Sequence, residues 1–496
     1  MNSTLPTRRS ALAAFAGALA VRAADSDWVA LFDGRTMNGW KANENASTWS
    51  VKNGCLLAAG PRSHLFYTGP VHGAKFKNFE LEVELKSEFR CNSGVFIHTQ
   101  FQDKGWPAQG FEIQVDNTAL GEGSYVERKK TGSLYGVRNQ YKSLAADNEW
   151  FKFNILVRGK NVQVRVNGVL TVDYTEPAEP LVSDEGRDRR LSAGTFALQG
   201  HDAGSKVMYR SVRVRPLPED TPTPDTPPGA TDATAMELLM AGAHNYPVVD
   251  YHAHLKEGLT LEEVLRRSRA TGIYYGIAVN CGKGFPVQDE ASARKFADSL
   301  RGVPVFCAMQ AEGREWTEMF SRAAVGVFDY VFTDSMTWTD NHGRRMRTWI
   351  PAEVGTIADP QEFMDTLVAR AVGILEHEPI DIYVNPTYVP DQLAKDYDKL
   401  WTDERIRKVV MAAKKSEVAI ELNDRYKLPG LRVVQMAKEE GVKFTFGTNN
   451  AGPADLRRCE YGLEMVKAAK LRWQDFFVPR DKGDRAVDRK GGILRG

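Results

Sequence analysis

Glu112, Gln114 and Asp116 fall on alternate positions of one extended run, Phe111-Glu112-Ile113-Gln114-Val115-Asp116. Successive side chains of a strand point to opposite faces, so these three share one face while Phe111, Ile113 and Val115 take the other. A face of hydrogen-bonding groups free of Lys and Arg suits a polyhydroxylated sugar. Two carboxylates on it are expected to raise each other's pKa for acid-base work. A solvated outer face is the plainer alternative, and a concave polar groove is favoured over it. A second candidate centre lies far along the chain, where Asp250-Tyr251-His252-Ala253-His254 ends a short apolar run. Alternation puts His252 and His254 on one side, so two imidazoles can converge on a cation.

The elements that must position these groups form two blocks, separated by residues 217–240. That span holds Pro-Glu-Asp-Thr-Pro-Thr-Pro-Asp-Thr-Pro-Pro-Gly and shows no apolar periodicity. It reads as a semi-rigid linker, because proline fixes φ and withholds its N–H. Residues 27–216 read as many short strands with turn signals between them, such as the alternating run from Phe79 to Leu85 and the Asn167-Gly168 turn. That rhythm predicts an all-β sandwich or jelly roll. Residues 246–475 alternate short apolar strands with amphipathic helices, and seven strand-helix units predict a closed TIM-like α/β barrel. In such a barrel reactive groups sit at the C-terminal strand ends, which is where His252 and His254 fall. Glu312 and Glu421 sit at two further strand ends, and residues 476–496 read as a polar tail.

The 496 residues carry a net charge of +1, with 42% hydrophobic and 26% charged side chains. A near-neutral chain gives no electrostatic reason for a nucleic-acid partner or an anionic membrane. No segment of the mature chain is apolar for long enough to insert stably in a membrane. Residues 1–24 combine the pair Arg8-Arg9, a brief alanine-rich run and small residues at Ala23 and Ala24. These are the parts of a cleavable export signal of twin-arginine type, which predicts a periplasmic or secreted protein. Five widely spaced cysteines are neither a disulfide framework nor a zinc cluster, and read best as buried small apolar groups; pairing of Cys55 with Cys91 stays open.

Several segments resemble the 3-keto-disaccharide hydrolase family: Trp28-Val29-Ala30-Leu31-Phe32-Asp33-Gly34, Asn92-Ser93-Gly94-Val95-Phe96, Gly110 to Asp116 and Thr131-Gly132-Ser133-Leu134-Tyr135-Gly136. The resemblance implies a concanavalin-like jelly roll acting on sugars oxidised at C3. A ketone at C3 acidifies the C2 proton, so cleavage needs a base, a leaving-group acid and a donor to the enolate oxygen. Glu112 or Asp116 is the expected base, with His98, Gln114 and Tyr135 orienting substrate or donating to the enolate oxygen and Asn92 binding substrate beside them.

The second block resembles the polymerase and histidinol phosphatase family, through His252-x-His254, Glu312, Glu421-x-Asn423 and Gly447-Thr448-Asn449. That resemblance implies divalent metals, with His252, His254 and Glu312 at ligand positions and Glu421 beside them. Asn385-Pro386 and Asn449-Asn450-Ala451 depart from the family pattern, because amides replace imidazole and carboxylate. At most about one divalent ion is therefore expected, with Asp334 or His342 as added ligands, or else a scaffold whose polar residues hydrogen-bond one another.

The leading reading is thus an exported enzyme cleaving 3-keto-glycosides in the sandwich, by hydrolysis or by C2 deprotonation and elimination, beside a degenerate metal-hydrolase-like barrel. The alternative is a carbohydrate-binding sandwich that targets a metal-dependent hydrolase barrel. The leader yields a direct test: Arg8→Lys with Arg9→Lys is expected to leave uncleaved precursor in the cytoplasm, because the translocase reads the pair itself. Mature protein reaching the periplasm at the normal rate in a fractionation experiment would contradict it.

Overall fold

The structure, a computed structural model, describes residues 27–118, 121, 125–183, 189–339 and 344–495. The expected export signal lies outside them. The first block is a sandwich of two antiparallel sheets. In the larger sheet, Phe79–Ser87 alternates buried and half-buried positions along its whole length. Leu81, Val83 and Leu85 enter the core, while Glu80 and Glu82 stand outside opposite Arg215 and Arg213 on the strand Lys206–Pro216. Both glutamates bond those arginines, the Glu82 pair at 2.8 Å. Opposite charges facing each other across a ladder fix its register.

The smaller sheet runs in the order Trp40–Ala42, Ser63–Tyr67, Thr195–Gly200, Asn92–Thr99, Phe111–Asp116. Its inner face supplies Leu65, Val95, Ile113, Val115 and Leu198 to the core. Its outer face is buried as well, so every residue of Phe111–Asp116 is out of solvent. This edge strand is covered by residues 131–135: Thr131 N–H donates to Asp116 O (2.8 Å), Gly132 N–H to Gln114 O (3.0 Å) and Tyr135 N–H to Glu112 O (2.9 Å). Gly132 makes the approach possible. Its φ is +87°, and a Cβ there would sit 2.6 Å from Val166 Cγ2.

Strand alternation fails at His98. Its φ of +53° and the shifted register between Thr195 and Ala197 mark a bulge. The bulge turns the ring away from the Glu112 face to pack 5.6 Å from Phe79 in the core. Nδ1 accepts from the Ser192 N–H (3.1 Å) and Nε2–H donates to Lys77 O (3.0 Å). The imidazole expected at the catalytic centre is instead a core group with both nitrogens committed.

The second block is a closed barrel of seven parallel strands: Val249–His254, Tyr274–Cys281, Phe306–Ala311, Tyr330–Thr333, Ile382–Tyr383, Ala419–Asn423 and Phe444–Gly447. Of the span read as linker, the part up to Asp232 is extended and tied to the sandwich. Asn78 Nδ2 donates to the carbonyls of Pro218 and Glu219, and Gly229 N–H to Thr175 O. From Ala233 the chain is helical to Ala243, capped by the Asp232 carboxylate on the Ala235 N–H.

The sandwich docks on the end of the barrel where strands begin. Tyr141 OH donates to Tyr246 O (3.1 Å) and accepts from Val248 N–H (3.0 Å), just ahead of the first strand. Lys142 meets Asp329, just ahead of the fourth, at 2.6 Å. Arg138 caps the C-terminus of the helix Leu261–Thr271 through the carbonyls of Arg269 (2.7 Å) and Ala270 (2.8 Å). All five cysteines are buried and free, so Cys55 and Cys91 do not pair.

Two outcomes follow from these contacts. Tyr141→Phe leaves a buried N–H and carbonyl unpaired, so docking should weaken by about 1–3 kcal/mol. Calorimetry should then show a broadened or split transition, and an unchanged single transition would contradict the bracing role. Burial pushes His98 down from 6.5 to about 4. A depressed histidine contributes stability above its unfolded pKa that is lost as pH falls through the folded one. The wild type should therefore lose on the order of 3 kcal/mol between pH 6.5 and 4 that His98→Gln does not lose, as read by thermal melts across that range. Parallel curves for the two proteins would contradict the assignment.

Candidate active site

The buried outer face of the smaller sheet opens into a cleft of about 310 Å³ lined by Glu112, Gln114, Gln199, Tyr125, Glu127 and His201, with Asn92, Trp106 and Tyr135 around them. The strands supply the floor. Glu112 and Gln114 come from the edge strand, Asn92 from its neighbour and Gln199 from the next strand but one in the sheet. Gln199 Nε2 donates to Glu112 Oε1 (3.0 Å) and Gln114 Nε2 to Asn92 Oδ1 (3.3 Å). The remaining amide oxygens of Gln114 and Gln199 have no hydrogen-bond partner. Buried acceptors of this kind are costly unless a ligand supplies donors. Gly94 gives Glu112 its room, since a Cβ there would lie 2.6 Å from Glu112 Oε1.

The walls come from loops. Glu127 is buried, and desolvation works to raise its carboxyl. The Lys129 ammonium and the hydrogen bonds from Tyr125, the Lys129 N–H and Tyr135 outweigh that and hold it below its usual value. Tyr135 OH donates to Glu127 Oε2 (3.0 Å), Tyr125 OH donates to the same oxygen, and the N–H groups of Arg128 (2.9 Å) and Lys129 (2.8 Å) donate to Oε1. The site therefore keeps a fixed anion with two phenols aimed at it. On the opposite side His201 Nδ1 meets Asp202 Oδ2 at 2.6 Å, and the His201 contact holds the Asp202 carboxyl down. With Nδ1–H donated to Asp202, Nε2 is left as the acceptor of the ring. Trp106 packs 5.0 Å from that ring, so apolar area lies beside the polar groups, as sugar recognition requires.

The structure thus brings together Glu112, Gln114, Asn92 and Tyr135, but not Asp116 or His98. Four residues of strand separate Glu112 and Asp116 by about 13 Å, too far to share a proton. Asp116 is fully buried and paired with Lys130 at 3.1 Å, and its own N–H bonds Thr131 Oγ1 (2.9 Å). It holds the covering segment in place. His98 lies across the sheet in the core. Tyr125, Glu127, Trp106, Gln199 and His201 escape periodicity arguments; the adjacent acid in His201-Asp202, just past a strand end, is the one local signal for them.

At the barrel's opposite end, where strands finish, His252 Nδ1 meets Glu421 Oε1 (2.6 Å) and His254 Nδ1–H donates to Ala278 O (3.1 Å). Both imidazoles therefore keep a bare Nε2, buried and without a hydrogen-bond partner. Burial keeps His254 well below its usual pKa and so neutral. The other Glu421 oxygen accepts from Asn385 N–H (2.8 Å) and Asn423 Nδ2 (2.9 Å). Glu312 accepts from Asn280 Nδ2 (2.7 Å) and Thr337 Oγ1 (3.2 Å), and burial together with the Asp334 carboxylate pushes it up. Asp334 itself accepts from Asn385 Nδ2 (2.8 Å), and His342 lies outside the described residues. Among the described residues no three His, Cys, Asp or Glu side chains are grouped to hold a metal ion. Glu421 bonds Nδ1 of His252 and so fixes which nitrogen of that ring is left bare.

Comparison with known proteins bears on the sandwich. The family model of the 3-keto-alpha-glucoside-1,2-lyase-like domain matches residues 27–215. A 3-keto-disaccharide hydrolase of Bacteroides thetaiotaomicron is 36% identical over 84 residues, which are 15% of this chain and 29% of that relative. The chain therefore spans under a third of the length of the curated relative it matches. A Parabacteroides distasonis structure described as a glycosyl hydrolase covers 39% of this chain and 98% of its own, at 20% identity and a TM-score of 0.33. A carbohydrate binding module from Bacillus subtilis covers 35% and 94%, at 13% identity and a TM-score of 0.23. Residues 27–215 are a 3-keto-disaccharide hydrolase-like domain.

Proposed function

We propose that the sandwich cleft cleaves 3-keto-glycosides by removing the C2 proton and expelling the C1 substituent, followed by addition of water. The carrying observation is the pairing of His201 with Asp202 in a cleft that also holds Glu112 and two unpartnered amide oxygens. His201 Nε2 is the base, its tautomer held by Asp202. The C2–H electron pair forms the enolate at C3, whose oxygen accepts from the Tyr135 hydroxyl once that proton turns from Glu127 Oε2, which keeps its bonds from Tyr125 and two backbone N–H groups; the Lys129 ammonium backs the phenol 3.5 Å away. The enolate pair then moves to C1=C2 as the C1–O bond breaks, and the carboxyl of Glu112 gives the departing oxygen its proton. Water then adds at C1, giving a proton to the Glu112 carboxylate, while C2 regains a proton from His201, so that both groups return to their starting states. Gln114 and Gln199 accept sugar hydroxyls. Read as an export signal, the segment 1–24, with its Arg8-Arg9 pair, supports a periplasmic or secreted setting for this chemistry.

Glu112→Gln and His201→Asn should each lower kcat on a 3-keto-glucoside by at least about a hundredfold with melting temperature little changed, in line with loss of a proton-transfer group. Gly94→Ala, which crowds the Glu112 carboxylate, should act in the same direction through kcat. Near-normal turnover in both of the first two variants would remove the cleft from the chemistry. Saturable sugar binding without turnover in the wild type would make the sandwich a binding module.

A further inference from the structure

Between the sandwich and the beginning of the barrel strands lies a second cavity, of about 390 Å³, distinct from the cleft. Its charges do not cancel within it. Lys142 neutralises Asp329, but Arg128, Lys130, Arg480, Lys482 and Arg485 also face it, against Glu127 and the exposed Asp481. Most of these cations are engaged elsewhere. Lys130 bonds Asp116, Arg480 bonds Glu417 at 2.9 Å, and Arg485 bonds Asp488 at 2.9 Å together with two backbone carbonyls.

Arg128 is different. Its guanidinium lies over the Trp473 ring, 5.0 Å from the centroid, yet Nε and Nη1 are buried and have no hydrogen-bond partner. Among the described residues no ion pair reaches it. A planar cation stacked on one face keeps its donors in the plane, and two buried donors without an acceptor are costly unless a ligand or water completes them, an anion being the partner that also offsets the charge. Burial of Arg128 also works against its charge, which an anion would relieve.

We propose that this interdomain cavity binds a small oxyanion, a carboxylate or phosphoryl group on a small molecule, held by Arg128 with Lys482 at the entrance. Domain interfaces are common places for such sites, and a guanidinium suits either group. The site also touches the cleft. The Arg128 N–H donates to Glu127 Oε1 at 2.9 Å, and Glu127 lines both spaces. An anion on Arg128 therefore acts on the segment that carries the cleft's fixed carboxylate. The site itself does not depend on the chemistry proposed for the cleft.

The test is calorimetric titration of the full mature chain at low salt with inorganic phosphate and, separately, with malonate. Saturable binding of about one anion per chain is expected for at least one of them, and which one binds tells phosphoryl from carboxylate. Arg128→Gln should weaken it by at least about tenfold and the exposed Lys482→Gln by a few-fold, with circular dichroism confirming both folds. No saturable binding of either anion below about 10 mM overturns the proposal. So does binding that Arg128→Gln leaves intact. Should Arg128→Gln fail to fold, unchanged affinity in Lys482→Gln overturns it instead.

Discussion

Burial of the polar face of the strand Phe111–Asp116 constrains most of what surrounds it. One face of that strand is core, and the other carries Glu112, Gln114 and Asp116 out of water. Buried polar groups must be paired or face a ligand. Asp116 is paired with Lys130, Glu112 is bonded by Gln199, and what Gln114 and Gln199 leave over faces the cleft. The segment that provides the cover, residues 125–142, also carries Tyr125, Glu127, Lys129 and Tyr135. The same chain that satisfies the strand therefore builds the wall of the site.

That segment is held from behind by the barrel. Arg138, Tyr141 and Lys142 all bond the barrel end where strands begin, and Asn245, between the first helix and the first barrel strand, donates to Val126 O. Loops carry function only as well as their scaffold fixes them. The barrel supplies that scaffold at one end. His252, His254, Glu312 and Glu421 cluster at the other end, where the strands finish, so the two polar centres do not share a chamber. At that far end Asn385 links Asp334, Asn423 and Asn449 in one hydrogen-bonded set. Amides there hydrogen-bond the carboxylates of Asp334 and Glu421 at positions where further imidazole or carboxylate would offer a cation stronger ligands.

The two architectures were legible because each rests on a simple period. Alternation in Phe79–Ser87 and the seven apolar runs after the linker mark strands that the structure places within a few residues. Glu112 and Gln114 followed from the same alternation. The rule failed at His98, where a left-handed residue breaks the pleat and moves the ring to the core. It also misjudged Asp116, since sharing a face is not the same as sharing a pocket. Glu127, Tyr125 and His201 lie outside the regular strands, where spacing in sequence carries no information about direction in space. Helix formation from Ala233 was hidden by the prolines before it, although Asp232 ahead of an alanine-rich run was a readable cap.

The central claim is that cleavage in the sandwich begins at the C2 proton. It is tested most directly by following a 3-keto-glucoside with the wild-type protein in D2O by proton NMR. The account predicts that the released sugar carries deuterium at C2, well above the level reached without protein. Complete cleavage with the C2 proton fully retained would contradict it, and would require attack at C1 without an enolate.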